Sequence, residues 1–140
     1  MIRFAMESDG EAVYRLLCML EERELERTAF ERIYAACLKS PDRVCLVAEQ
    51  EGEVVGCLQM RLEEQLHHCA EVAEILELAV SPDCRFRGLG RALFTAAGEI
   101  AREKGCVQLQ LSSGRRREEA HLFYGRLGMV QTHAGFTMEL

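Results

Sequence analysis

At 140 residues, of which 49% are hydrophobic and 29% charged, the chain has the length and balance of one globular domain spanning residues 1–140, not of a disordered or membrane protein. Its net charge of −6 argues against a nucleic-acid surface, which needs a basic face, and no stretch approaches the ~20 apolar residues of a membrane span. The opening residues Met1-Ile2-Arg3-Phe4-Ala5-Met6-Glu7 lack the long apolar run of a signal peptide, so the expected location is cytoplasmic.

The first element is a short strand, Ile2-Arg3-Phe4. Ser8 or Asp9 then caps an amphipathic helix reaching roughly to Glu24, with Val13, Leu16, Leu17 and Leu20 at helical spacings. Thr28 caps a second helix, Ala29 to Leu38, which stops before Ser40-Pro41. The apolar runs 44–48 and 54–62 flank Glu51-Gly52 and predict an antiparallel hairpin. A third strand runs from Ala73 to Val80. After a glycine-bearing loop comes a helix from Gly88 to Lys104, closed by Gly105. Strand 107–111, helix Glu118 to Leu127 and a final strand 136–140 complete the order βααβββαβαβ. A meander followed by a β-α-β crossover predicts a mixed α/β (α+β) sheet flanked by helices.

Seven cysteines form no C-x-x-C pair. Most lie in apolar strings such as 16–20, where a thiol behaves as a small hydrophobe and not as a nucleophile or ligand. The only basic run, Gly114-Arg115-Arg116-Arg117, is diluted by Glu118 and Glu119.

The segment Glu74-Ile75-Leu76-Glu77-Leu78-Ala79-Val80-Ser81-Pro82-Asp83-Cys84-Arg85-Phe86-Arg87-Gly88-Leu89-Gly90-Arg91 carries the chemistry. It reads as a strand, a glycine loop and a helix N-terminus. Glycines let the backbone approach a ligand, first-turn N–H groups lack intrahelical partners, and the helix dipole favours negative charge. Arg85, Arg87 and Arg91 add side-chain charge around the glycines, as a pyrophosphate demands. The dinucleotide fingerprint is not matched, because Leu93 stands where its third glycine belongs.

Arg85-x-x-Gly88-x-Gly90 after Ala79-Val80 resembles the Q/R-x-x-G-x-G/A signature of the GNAT superfamily of N-acetyltransferases, whose loop cradles the coenzyme A pyrophosphate. The run 120–129, AHLFYGRLGM, resembles that family's A-x-x-F-Y-x-x-x-G-F helix. The resemblance covers nearly the whole chain. It implies a mixed, mostly antiparallel central sheet of about six or seven strands with about four helices, acetyl-CoA as co-substrate and transfer of its acetyl group to a primary amine. It also implies coenzyme contacts from Leu78, Ala79, Val80, Arg85, Phe86, Arg87, Gly88, Gly90 and Arg91. Arg117 stands where many members carry asparagine in a coenzyme contact.

Such a transfer needs a neutral amine, a polarised thioester carbonyl and a protonated leaving thiolate. By the resemblance, Glu74 is the general base and Tyr124 the acid that protonates the thiolate. Glu77 is the competitor of Glu74; strict alternation puts the two on opposite faces unless a bulge intervenes. A splayed strand would leave the Leu78 and Val80 N–H groups for the thioester carbonyl and the pantetheine arm.

Leu66-His67-His68 ahead of Glu74-Ile-x-Glu77-Leu also resembles the aminoalkylphosphonate N-acetyltransferases within that superfamily, a group associated with a divalent metal. A histidine together with Glu74 or Glu77 is the candidate ligand set, with its membership open. Arg61, His68 or Arg117 would meet an anionic substrate. Polyamines, amino acids, aminoglycosides and protein amines are the alternative acceptors, and a non-catalytic acetyl-CoA sensor is the alternative class. Relatives dimerise, so a homodimer is expected, with no nucleic-acid or membrane partner.

Overall fold

The computed structural model describes residues 1–84 and 87–140; Arg85 and Phe86, both expected in the coenzyme loop, lie outside them. The order is β1 (Ile2–Phe4), α1 (Gly10–Glu21), α2 (Arg27–Lys39), β2 (Arg43–Gln50), β3 (Glu53–Gln65), β4 (Ala70–Val80), α3 (Leu89–Glu103), β5 (Gln108–Leu111) and α4 (Glu118–Arg126). Among the described residues the sheet has five strands, ordered β1-β2-β3-β4-β5, where six or seven were expected. The chain divides into two compact units, Met1–Gln110 and Leu111–Leu140.

In the first unit β1, β2, β3 and β4 are successively antiparallel. Each hairpin has its local cause. Glu51 and Gly52 both take positive φ, at 52° and 81°, which makes the tight turn between β2 and β3. The β3–β4 hairpin is longer than the apolar run predicted, pairing to Gln65↔Ala70 through charged and polar residues that backbone bonding alone recruits.

One sheet face carries Val47, Cys57 and Ala79, which pack against Val13 and Leu16 of α1 and Tyr34 of α2. The opposite face takes α3. A Cβ on Gly56 would sit 3.2 Å from Leu93 Cδ1 and 3.3 Å from Ala79 O, so glycine here lets α3 approach the sheet. Leu93 and Ala97 are fully buried under that helix.

The helix starts differ from expectation. Asp9 precedes α1, but its carboxylate makes no cap bond to the helix; it is held by Arg3 at 2.8 and 3.0 Å and accepts from Met6 N at 2.7 Å. Glu26, not Thr28, caps α2, accepting from the N–H groups of Thr28 and Ala29. A carboxylate two residues upstream outcompetes the threonine hydroxyl because it adds charge to the positive helix end. Tyr14 Oη donates to Leu25 O, fixing the α1–α2 connection, and Tyr34 Oη to Met6 O, tying α2 to the segment before α1, each at 2.7 Å.

In the second unit α4 is followed by Gly128 at φ 92°. The expected final strand at 136–140 does not form. Phe136, Met138 and Leu140 alternate as a strand would, yet all three are exposed, and alternation without a hydrogen-bonded neighbour does not hold a strand. Among the described residues no helix is long and apolar enough to cross a membrane.

Replacing the fully buried Leu93 leaves a cavity beneath α3. Leu93→Ala is expected to lower unfolding stability by about 2–5 kcal/mol, read from urea denaturation at unchanged m.

Candidate active site

The site begins with one unmatched residue. Gln59 pairs with Glu77 but the next residue, Met60, pairs with Ile75, so Leu76 is a bulge in β4. Glu74, opposite Arg61, and Glu77, opposite Gln59, therefore share a face, although their spacing would separate them in a regular strand. On β2 the same face carries Cys45, opposite Gln59, and Arg43, opposite Arg61.

Beside Glu77 a cavity of about 390 Å3 opens between this face and the α1–α2 pair. Val13, Leu17, Phe30 and Tyr34 give it apolar walls, while Gln59, Glu77, Arg23 and Glu26 supply its polar groups. Phe30 is locked by an edge contact to Tyr14 (5.2 Å between centroids) and a stack on Tyr34 (5.7 Å). The wall is thus formed before any ligand arrives.

The two glutamates differ in surroundings. Glu74 is bridged by Arg61 Nη2 at 3.3 Å, with its side chain 28% exposed. Glu77 is more deeply set, and its Oε2 is buried with no hydrogen-bond partner. Burial raises the Glu77 pKa above the ordinary carboxylate value; the positive charge of Arg43 pulls it back in part, and Glu21 pushes it further up. Gln59 sits between, its Oε1 accepting from Arg43 Nη1 at 3.2 Å and its Nε2 donating to Cys37 Sγ at 3.0 Å.

At the end of β4, Ser81 N donates to Val55 O at 2.7 Å. Bonded and non-bonded pairs alternate in an antiparallel ladder, so Ala79, opposite Cys57, bonds β3 while the N–H groups of Leu78 and Val80 point away from it. Gly88 precedes α3 at φ 78° with open space where a side chain would be, and Gly90 lies in the first turn. Arg87 and Arg91 are exposed around them. Residues present here fit an extended thioester carrier with a phosphate group: outward N–H groups, then a helix N-terminus with adjacent guanidinium groups.

In the second unit Arg117 occupies the cap position of α4, its carbonyl accepting from His121 N at 3.1 Å. Tyr124 is half-buried, its ring 5.6 Å from that of Phe123. Burial raises the Tyr124 pKa and Arg117 lowers it in part, so the phenol keeps its proton at neutral pH.

His67 and His68 lie in the β3–β4 turn with rings 4.3 Å apart. Among the described residues no three His, Cys, Asp or Glu side chains converge as metal ligands. Neither His67 nor His68 joins Glu74 or Glu77 in such a group of three among the described residues. Only Cys37 and Cys57 of the seven cysteines are buried, and all are unpaired. Burial pushes the Cys57 thiol up to about 12, which keeps it protonated and inert. Sequence reasoning missed Arg43 and Gln59: neither lies in a motif, and only the registers of β2 on β3 and of β3 on β4 bring them to the face of Glu77.

The profile of the acetyltransferase (GNAT) family matches residues 10–129. The chain belongs to this family. It is 38% identical over 139 residues to the aminoalkylphosphonate N-acetyltransferase of Salmonella typhimurium, covering 99% of this chain and 90% of that one. An uncharacterized N-acetyltransferase of Bacillus subtilis is 30% identical over 83% of this chain and 77% of its own. Among solved structures, a protein described as a transcriptional regulator from Bacillus halodurans superposes with a TM-score of 0.92 at 28% identity, covering 100% and 99% of the two chains. This GNAT protein is an N-acetyltransferase, a family in which acetyl-CoA is the co-substrate.

A carboxylate buried without a donor destabilises the fold wherever it is charged. Because the folded-state pKa of Glu77 lies above its unfolded value, that penalty is complete above the folded pKa and gone below the unfolded one. Glu77→Leu is expected to raise the melting temperature by a few degrees at pH 8, with the gain shrinking as the pH is lowered towards 4 in a differential-scanning series.

Proposed function

We propose that this GNAT enzyme transfers acetyl from acetyl-CoA to the primary amine of a small molecule, with an aminoalkylphosphonate as the first candidate acceptor. The observation that carries the reading is Glu77, a buried carboxylate with an unpartnered oxygen at the polar end of a preformed cavity. Likeness to the Salmonella enzyme across nearly both chains supports the acceptor class. The family match runs through both units, which supports residues 1–140 as one N-acetyltransferase domain.

Glu74 and Glu77 share a face of the sheet, and of the two Glu77 lines the cavity, which supports it as the proton acceptor. The base role goes to Glu77. Its raised pKa makes it the better proton acceptor from an ammonium, whereas Glu74 is occupied by Arg61. Acetyl-CoA, when bound, supplies the activated acyl group. Glu77 removes a proton from the acceptor ammonium, directly or through water. The amine nitrogen then forms its bond to the carbonyl carbon, gives up its second proton to solvent, and the carbon–sulfur bond breaks with the electron pair leaving on sulfur as thiolate.

The Leu78 and Val80 N–H groups are assigned to the carbonyl and the pantetheine arm, since backbone donors stabilise developing negative charge whatever the side chain. Arg85, Phe86, Arg87, Gly88, Gly90 and Arg91 are assigned to the coenzyme phosphates, and Arg117 to a further coenzyme contact. Tyr124, which retains its proton, is assigned as donor to the departing thiolate. Exposed Phe136, Met138 and Leu140 support the homodimer as part of this reading, in a cytoplasmic enzyme.

The test is thiol release from acetyl-CoA with a panel of amines, with and without chelator. Turnover with aminoalkylphosphonates is expected; coenzyme binding with no thiol release for any amine would replace this reading with that of a sensor. Glu77→Gln is expected to lower kcat/KM about 10²–10⁴-fold, and Glu74→Gln by much less. In the wild type kcat/KM falls as the pH drops through the raised Glu77 pKa, and the Gln variant lacks that limb. Tyr124→Phe is expected to lower kcat with KM for the amine unchanged.

A further inference from the structure

Arg43 and Arg61 are directly opposite each other across β2 and β3, on the face that carries Glu77. Like charges placed opposite in a ladder repel, and the surrounding groups only half compensate. Arg61 has Glu74 at 3.3 Å, while its Nε is buried without a hydrogen-bond partner. Arg43 meets only the neutral Gln59 amide at 3.2 Å, and among the described residues no carboxylate lies within ion-pair distance of it. Two half-buried arginines thus stand opposite each other on neighbouring strands, and only Arg61 has a carboxylate within ion-pair distance.

We propose that Arg43 and Arg61 together bind the doubly negative head group of the acceptor, with Gln59 as the positioning residue that holds the Arg43 fork beside Glu77. This rests on Glu77 as the amine-side group. Spacing agrees with it. Gln59 is directly across from Glu77, and Arg61 is two residues further along the strand, about 7 Å. The Arg43 fork already reaches back to Gln59. An amine and an anion joined by two or three carbons span about 4–5 Å, which places the nitrogen at Glu77 and the anion between the guanidinium groups. Phosphonate oxygens match paired guanidinium forks better than a carboxylate does, because they offer three acceptors and up to two charges. Charge-assisted bonds made in this half-buried setting are stronger than those at an open surface.

Three amines with two carbons between nitrogen and head group or terminal carbon separate charge from size: 2-aminoethylphosphonate, β-alanine and propylamine. Their binding is measured by calorimetry on the whole protein with coenzyme A present, and their KM by thiol release. The phosphonate is expected to bind most tightly, and Arg43→Gln to weaken it about 10–100-fold, far more than it changes propylamine. Arg43→Lys, which keeps charge but not the fork, should fall between. A phosphonate that binds wild type and Arg43→Gln equally, or no tighter than propylamine, overturns the inference even if acetyl transfer proceeds. Phosphonate binding that is lost in Arg43→Gln without thiol release for any amine keeps the anion site and overturns the catalytic reading instead.

Discussion

The unmatched residue Leu76 sets the chemistry of this protein. A regular β4 would send Glu74 and Glu77 to opposite faces, one towards α3 and one towards α1 and α2. The bulge keeps both on the side where the cavity lies and lets the strand continue beyond it with Ala79 back in the core. It also re-sets the phase of hydrogen bonding, so that Leu78 and Val80 present their N–H groups outward. In the proposed mechanism one local irregularity therefore serves both the amine side and the thioester side of the reaction.

Much of the fold was legible because its signals are local. Glu51-Gly52 between two β-rich runs names its hairpin, Gly88 and Gly105 bracket α3 with positive φ, and helical spacing in α1 marks the face that meets Val47 and Cys57. What was not legible depends on pairing. A bulge cannot be located from one strand, because its definition needs the partner, and so Glu74 was put ahead of Glu77 without the register that sets both on one face. Glu26 as a cap was hidden because Thr28 fits the usual signature better. The alternation of Phe136, Met138 and Leu140 reads as a strand, yet a strand exists only with a neighbour to bond.

The candidate site shows the same division. The glycine loop and the tyrosine helix could be read from contiguous residues. Arg43, Gln59 and Arg61 are separated along the chain and carry no motif; only the registers Arg43↔Arg61 and Gln59↔Glu77 make them one group. The histidine pair was a conspicuous local feature that the fold leaves in a turn, where among the described residues it belongs to no three-residue ligand group. Adjacent residues of a chemical type are thus weaker guides here than cross-strand neighbours.

Stability and function pull against each other on this face. An apolar sheet surface under α1 and α2 would fold more firmly than one holding a buried carboxylate and two opposed guanidinium groups, because each of these leaves solvation behind without full pairing. The deficit is not spread through the molecule. Among the described residues the charged side chains with a buried, unpartnered atom are Glu77 and Arg61, while the buried Asp9 is engaged by Arg3 and the Met6 N–H. On the proposed reading a zwitterionic acceptor supplies what each lacks: an ammonium for the carboxylate and an anion for the guanidinium groups. Binding energy then comes from relieving unpaired charge already present in the protein, which selects for ligands carrying both charges at this spacing and against those carrying one.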